Sequence, residues 1–333
     1  MNNSTDYMPY RPRYTNVEAW FQALFCYIIL CGIVCTVSNA LIILAICRKN
    51  RLRTRFFVII CYLSLCRLLL SLNLGAVGVQ RILKQMRYLS YAQSRFTCKL
   101  SHIWYLNGLS LELVLILVLV IDRIIAISAG IKYRNMSLSQ ISYICIACYI
   151  ASLVGKTGPA FLLEPRPFEI ALCVNVFDSL SEGNAALARY LDISLLATMV
   201  LTYIGLVVYI RCQISKRSGA YHSRASNTTM QRQISLLPVL RNQIFLHSGL
   251  SLVCKLLLVM GAFGGNEDQR LLLWGGIALA MDLFVNTMAL LVGNTDLRET
   301  VLQVTRGASN MQLVSGHGYK SNGQISEQAA ALL

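Results

Sequence analysis

Charge is scarce in this sequence. Only 14% of its 333 residues are charged, against about 25% in a soluble globular domain, so water is not its main solvent. Histidine is scarcer still: His102, His222, His247 and His317 are the only four, and they lie far apart. No metal-ligand spacing appears among the twelve cysteines, so neither a metal site nor a Ser/His catalytic set assembles. The sequence reads as neither an enzyme nor the carrier of a cofactor. Acidic residues number 15 against 30 basic ones, for a net charge of +15. That surplus could serve nucleic acid, but the bases fall in short clusters between apolar segments, without an amphipathic or RNA-reading module. No nucleic-acid partner is expected. Two repeated halves, common in transporters, are missing, and the short connections between apolar runs leave no room for a second folded unit.

What the chain does have is apolar length. A helix crosses the roughly 30 Å hydrocarbon layer with about 20 predominantly apolar residues, and seven segments qualify: residues 19–47, 56–79, 98–121, 138–163, 187–211, 242–263 and 271–293. The expected fold is all-α, a seven-transmembrane helix bundle in contact with membrane lipid. The bundle takes up residues 19–305, after an extracellular N-terminus of residues 1–18 and before a polar, disordered cytoplasmic tail of residues 306–333. The first residues lack a cationic start joined directly to an apolar core, so no cleaved signal peptide is expected.

Orientation follows from the bases. Arg48, Lys49, Arg51, Arg53 and Arg55 follow the first segment, and Arg211, Lys216, Arg217, Arg224 and Arg232 follow the fifth. Short loops of this kind stay in the cytoplasm. Seven crossings then leave the N-terminus extracellular, where Asn2 and Asn3 begin glycosylation sequons, and the C-terminus cytoplasmic, as in a multi-pass plasma-membrane protein. One loop disagrees: Arg81, Lys84, Arg87, Arg95 and Lys99 crowd the connection between segments two and three. Either that loop is translocated despite its charge, because the first segment dominates orientation, or it forms an electropositive rim for anionic ligands.

The third segment opens at Cys98 and closes at Asp122-Arg123-Ile124, and the 25 residues from Cys98 to Arg123 make about 37 Å of helix at 1.5 Å per residue. That is one crossing. The stretch Asp122-Arg123-Ile124, with Tyr133 and Met136-Ser137 after it, resembles the Asp-Arg-Tyr signature and loop of rhodopsin-like (class A) G-protein-coupled receptors, with Ile124 in place of the tyrosine. Asn286, Thr287, Leu290, Asn294, Leu297 and Arg298 keep the register of that family's seventh helix, while its proline and tyrosine are replaced. Ser38-Asn39 resembles the Gly-Asn pair of the first helix, and Leu63-Ser64-Leu65-Cys66-Arg67 resembles the Leu-Ser-x-Ala-Asp of the second, with arginine for aspartate. Segments four to six carry little of the pattern. This worn form, with compact loops and a short tail, looks most like the nematode serpentine chemoreceptors of the sx class.

The resemblance implies function and roles. It implies a chemosensory receptor that binds a small extracellular ligand and activates a heterotrimeric G protein through Asp122 and Arg123, and it pairs Cys98 with Cys173 in a disulfide. It also sets Asn39, Arg67, Glu112, Asp282 and Asn286 around the pocket where many such receptors hold sodium. Arg67 lies 11 residues past the start of the second segment, Glu112 11 before Arg123 and Asp282 11 before Gly293, each about 16 Å deep, and charge at that depth usually faces the bundle interior and has a partner. The guanidinium is expected to replace the ion by bridging Glu112 and Asp282. His102, Tyr105 and Lys255 are the ligand-binding candidates, Tyr105 standing where amine receptors carry aspartate. Lys156, near the end of its segment, is expected to snorkel. A peptide or neuromodulator receptor of the same fold, and more remotely a transporter or channel, are the alternatives.

Overall fold

The structure, a computed structural model, describes residues 18–86, 92–101, 103–128, 133, 137–158, 170–172, 182–217, 249–250, 253 and 269–315. Its helices are α1 (Glu18–Arg48), α2 (Arg55–Gln85), α3 (Arg95–Ser101), α4 (Ile103–Ser128), α5 (Leu138–Ser152), α6 (Glu182–Arg217), α7 (Gln269–Gly293) and α8 (Thr295–Ser315). One short antiparallel pair, β1 (Ala92–Ser94) with β2 (Ile170–Leu172), adds extended structure to this helical fold and sets Ala92 opposite Leu172. Among the described residues, four stretches are long and apolar enough to cross a membrane: Gln22–Arg48, Arg55–Lys84, Leu138–Thr157 and Gly275–Gly293. The sixth sequence segment lies almost wholly outside the described residues.

These helices are apolar on all sides, so hydrophobicity alone does not choose the buried face. In lipid, packing and polar bonds choose it instead. In α1, Ile28, Cys31, Cys35, Ile42 and Ala45 are buried, whereas Leu30, Ile33, Val37 and Leu44 are exposed to the surroundings that lipid would fill. α4 is the most enclosed helix, with Leu111, Glu112, Leu113, Leu115, Ile116, Leu119 and Val120 all buried. It packs against α2, α5 and α6, while α1 packs against α2, α7 and α8.

Helix α2 gathers the polar bonds between helices. Ser71 meets Thr36 of α1 at 2.9 Å, Asn73 donates to the Ser101 carbonyl at the end of α3 at 2.8 Å, and Tyr149 of α5 donates to the Tyr62 carbonyl at 2.7 Å. Gly32 lets α1 come close, since a Cβ there would lie 3.0 Å from the Ser71 carbonyl oxygen and 3.1 Å from the Gly75 Cα. Both obstacles are backbone and cannot rotate aside. Gly32→Leu is therefore expected to destabilise by about 1–3 kcal/mol, read as a lower thermal midpoint of purified protein, and an unchanged midpoint would show that the contact yields.

Two helix starts are capped by side chains. Ser137 accepts from the Gln140 amide ahead of α5, and Asn294 accepts from the Leu297 amide at 2.9 Å ahead of α8. Such caps satisfy amides that have no partner inside their own helix. Asn294 thus ends α7 and starts α8. The sequence places a disordered tail from residue 306, but α8 continues to Ser315; its Leu297, Thr300 and Val304 are buried, and this contact supports a helix whose sequence alone looks polar.

Candidate functional site

Two groups of buried polar residues stand out, one halfway along the bundle and one at its Arg123 end. Halfway along, Arg67 of α2 and Glu112 of α4 are fully buried, and Arg67 Nε donates to Glu112 Oε1 at 2.7 Å. A guanidinium hydrogen-bonded to a carboxylate is among the stronger polar pairs. Asn39 of α1 donates to the Cys35 carbonyl at 2.8 Å and to Thr287 Oγ of α7 at 3.3 Å. Asn286 donates to both the backbone carbonyl and a carboxylate oxygen of Asp282, one turn earlier on α7. All five residues anticipated for this cluster are buried. The joints observed run α2 to α4 through Arg67–Glu112 and α1 to α7 through Asn39–Thr287. Thr287 was legible only as a register position; its hydroxyl proves to be what Asn39 reaches.

At the other end, Asp122 and Arg123 are both buried and form an ion pair. Tyr133 completes it. Its hydroxyl donates to Asp122 at 3.0 Å and accepts from the Arg123 guanidinium at 3.0 Å. Burial, the largest influence, pushes the Tyr133 hydroxyl up to about 12, with Arg123 opposing and Asp122 adding to the rise. It therefore keeps its proton throughout the physiological range. Two cation–π contacts flank the pair: Arg123 lies 5.0 Å from the centre of the Phe56 ring, and Arg55 lies 4.5 Å from that of Tyr133. Sequence reasoning missed Arg55 and Phe56. Arg55 reads as one more base in a loop, and only its position at the start of α2 turns it toward Tyr133.

At the opposite end, Cys98 is buried and disulfide-bonded. Lys84 and Lys99 of the basic connection are buried. Lys156 is also buried, at 9% exposure, which corrects the expectation that it snorkels. Asn2, Asn3, His102, Cys173, Lys255 and the side chain of Tyr105 lie outside the described residues. Among the described residues, no group of His, Cys, Asp or Glu could hold a metal ion.

Comparison with known proteins gives these two groups a setting. No curated protein matches the chain. The family described as serpentine type 7TM GPCR chemoreceptor Srsx matches residues 32–237, a stretch that contains Arg67, Glu112, Asp122, Arg123 and Tyr133 but ends before Asp282. With over half its length in that match, the chain belongs to the serpentine 7TM GPCR chemoreceptor Srsx family and is a chemosensory G-protein-coupled receptor.

Proposed function

We propose that this chemoreceptor binds a small extracellular molecule at the Cys98 end of the bundle and in response opens the Arg123 end to a heterotrimeric G protein. The buried Asp122–Arg123–Tyr133 group carries this reading. A ligand acts by favouring one of two pre-existing arrangements, and a cation held by a carboxylate and a phenol in one arrangement becomes available to a partner in the other. The basic loop after α1 suits a cytoplasmic position at this end, beside an anionic inner leaflet. At the opposite end, we assign the partner of Cys98 as Cys173. The β1–β2 pairing supports this, since Leu172, next to Cys173, lies opposite Ala92, six positions before Cys98. Disulfides persist on the oxidising side. Ligand contact is assigned to His102, Tyr105 and Lys255.

Topology tests the proposal. An N-terminal epitope tag should be stained on intact cells and a C-terminal tag only after permeabilisation. The reverse pattern would put Arg123 out of reach of any G protein.

The lock makes a second, smaller prediction. Tyr133→Phe removes the hydroxyl but keeps the ring under Arg55. Losing about 1 kcal/mol of hydrogen bonding from the closed arrangement should raise ligand-free nucleotide exchange by about five-fold. Exchange measured on membranes at matched receptor density checks this, and a lower basal rate would mean that Tyr133 serves the open arrangement instead.

A further inference from the structure

The Asp122–Arg123–Tyr133 group leaves one of its neighbours unused. Arg55 opens α2 and is 7% exposed. Its guanidinium lies over the Tyr133 ring, 4.5 Å from the centre, and a stacked guanidinium still offers N–H groups around its edge. Arg55 Nη2 is buried and has no hydrogen-bond partner among the described residues. A buried donor in that state calls for an acceptor. The carboxylate of this group, Asp122, is already held by Arg123 and Tyr133. The segments on either side supply no other, since the sequence has no acid from residue 19 to residue 111 or from residue 123 to residue 163.

The backbone at this point also favours an anion. Thr54 stands at the N-cap of α2 in an extended conformation, yet its side chain makes no capping bond, and the first turn carries no acid. The positive end of the helix dipole is therefore uncompensated, and such a start readily takes an anion. The two features are joined by sequence, since Thr54 and Arg55 are consecutive. The turn before them is folded tightly by bonds from the Leu52, Arg53 and Thr54 amides to the Lys49, Asn50 and Leu52 carbonyls, and it leaves Lys49 and Thr54 exposed. It connects two stretches able to cross a membrane, one ending at Arg48 and the other starting at Arg55, which sets it at the level of lipid headgroups. Five bases within residues 48–55 suit an anionic leaflet there.

We propose that the start of α2 binds the phosphomonoester headgroup of an inner-leaflet lipid. The terminal phosphate enters past Thr54 and accepts from the Arg55 guanidinium and the first-turn amides of α2, while Lys49 adds charge from the exposed side. A phosphomonoester suits this place better than a phosphodiester, because it brings close to two negative charges and three terminal oxygens to a guanidinium, a helix start and a basic turn. The same guanidinium stacks on Tyr133, so the leaflet reaches the Asp122–Arg123–Tyr133 group through one side chain. The inference rests on the proposed orientation, which makes this leaflet the inner one.

The test uses the purified full chain in mixed micelles without G protein, so that neither sidedness nor coupling enters. Thermal midpoints are recorded with phosphatidic acid and phosphatidylinositol 4-phosphate, with phosphatidylglycerol as the phosphodiester control and glycerol phosphate as the soluble phosphomonoester. At least one phosphomonoester lipid should raise the midpoint at about ten-fold lower concentration than phosphatidylglycerol, as added charge-assisted hydrogen bonds require. Glycerol phosphate should have no effect in the same range. Arg55→Gln should abolish the preference. Thr54→Asp should abolish it too while raising the midpoint without lipid, because an aspartate N-cap satisfies the helix start and adds an internal counter-charge. This variant decides the matter if Arg55→Gln does not fold. Failure of both lipids to exceed phosphatidylglycerol, or an undiminished preference in either variant, would overturn the site. A full response to glycerol phosphate would overturn the lipid as its source. If the preference holds but epitope staining places Arg123 outside, the phosphate site stands and the proposed orientation falls.

Discussion

Arg123→Ala should reach the cell surface in normal amounts and fail to activate a G protein. Arg123 sits at the end of the bundle, 2% exposed, held by Asp122 and Tyr133 over the Phe56 ring. Its removal leaves Asp122 with the Tyr133 hydroxyl as donor, so the carboxylate is not stranded and folding should survive. What is lost is the one side chain in this group that can move from an internal anion to a partner. Hydrogen bonds made by a charged group are worth about 1.5–3 kcal/mol, so losing one or more of them in the receptor–G-protein complex should reduce nucleotide exchange by at least ten-fold. Asp122→Asn should act in the opposite direction, because it weakens the closed arrangement and leaves Arg123 in place. Surface-normalised exchange assays on both variants decide the matter. Full signalling by Arg123→Ala would remove the group from the mechanism.

The second large effect is expected at Arg67 and Glu112. Removing one partner of a buried ion pair leaves a charge without compensation and costs about 3–5 kcal/mol. Arg67→Leu and Glu112→Leu should each lower surface display severely and reduce the thermal midpoint of whatever protein is recovered. The double variant Arg67→Leu/Glu112→Leu should regain most of the loss, since a well-packed apolar pair can replace buried ions at little cost. Additive losses would show that each residue is held mainly by other groups. The family resemblance implies that the guanidinium takes the place of a sodium ion, so ligand response and thermal midpoint are expected not to change when sodium chloride is exchanged for choline chloride. A sodium-dependent midpoint in the unaltered protein would overturn that assignment.

The fold class was legible because lipid imposes a length on each crossing and the positive-inside bias marks the loops. The depth of the ionic pair was legible for the same reason: counting 1.5 Å per residue from the segment ends puts Arg67 and Glu112 at one level. Counting cannot give direction, however. Only packing shows that Arg67 meets Glu112 and that Asn39 reaches Thr287. Lys156 illustrates the limit most clearly. An α-helical count sets it near a helix end where a long side chain can escape to the interface, and the π-turn at Leu153–Thr157, with Gly155 inside it and Gly158-Pro159 just after it, cancels that count. Arg55 was missed for another reason: a base in a basic loop looks like an orientation signal, and its stacking on Tyr133 depends on a residue 78 positions away. The helical extension to Ser315 was missed because contact with the rest of the bundle, absent from a local reading of polar residues, supports its first turns.

The convergence of bonds on α2 has a mechanical consequence. Thr36, Ser101, Glu112 and Tyr149 each anchor it from a different neighbour, which makes it the stator of the assembly. Whatever swings on activation is expected to swing about this post, and spin labels fixed to α1 and α2 should keep their spacing while a label on α6 shifts against both.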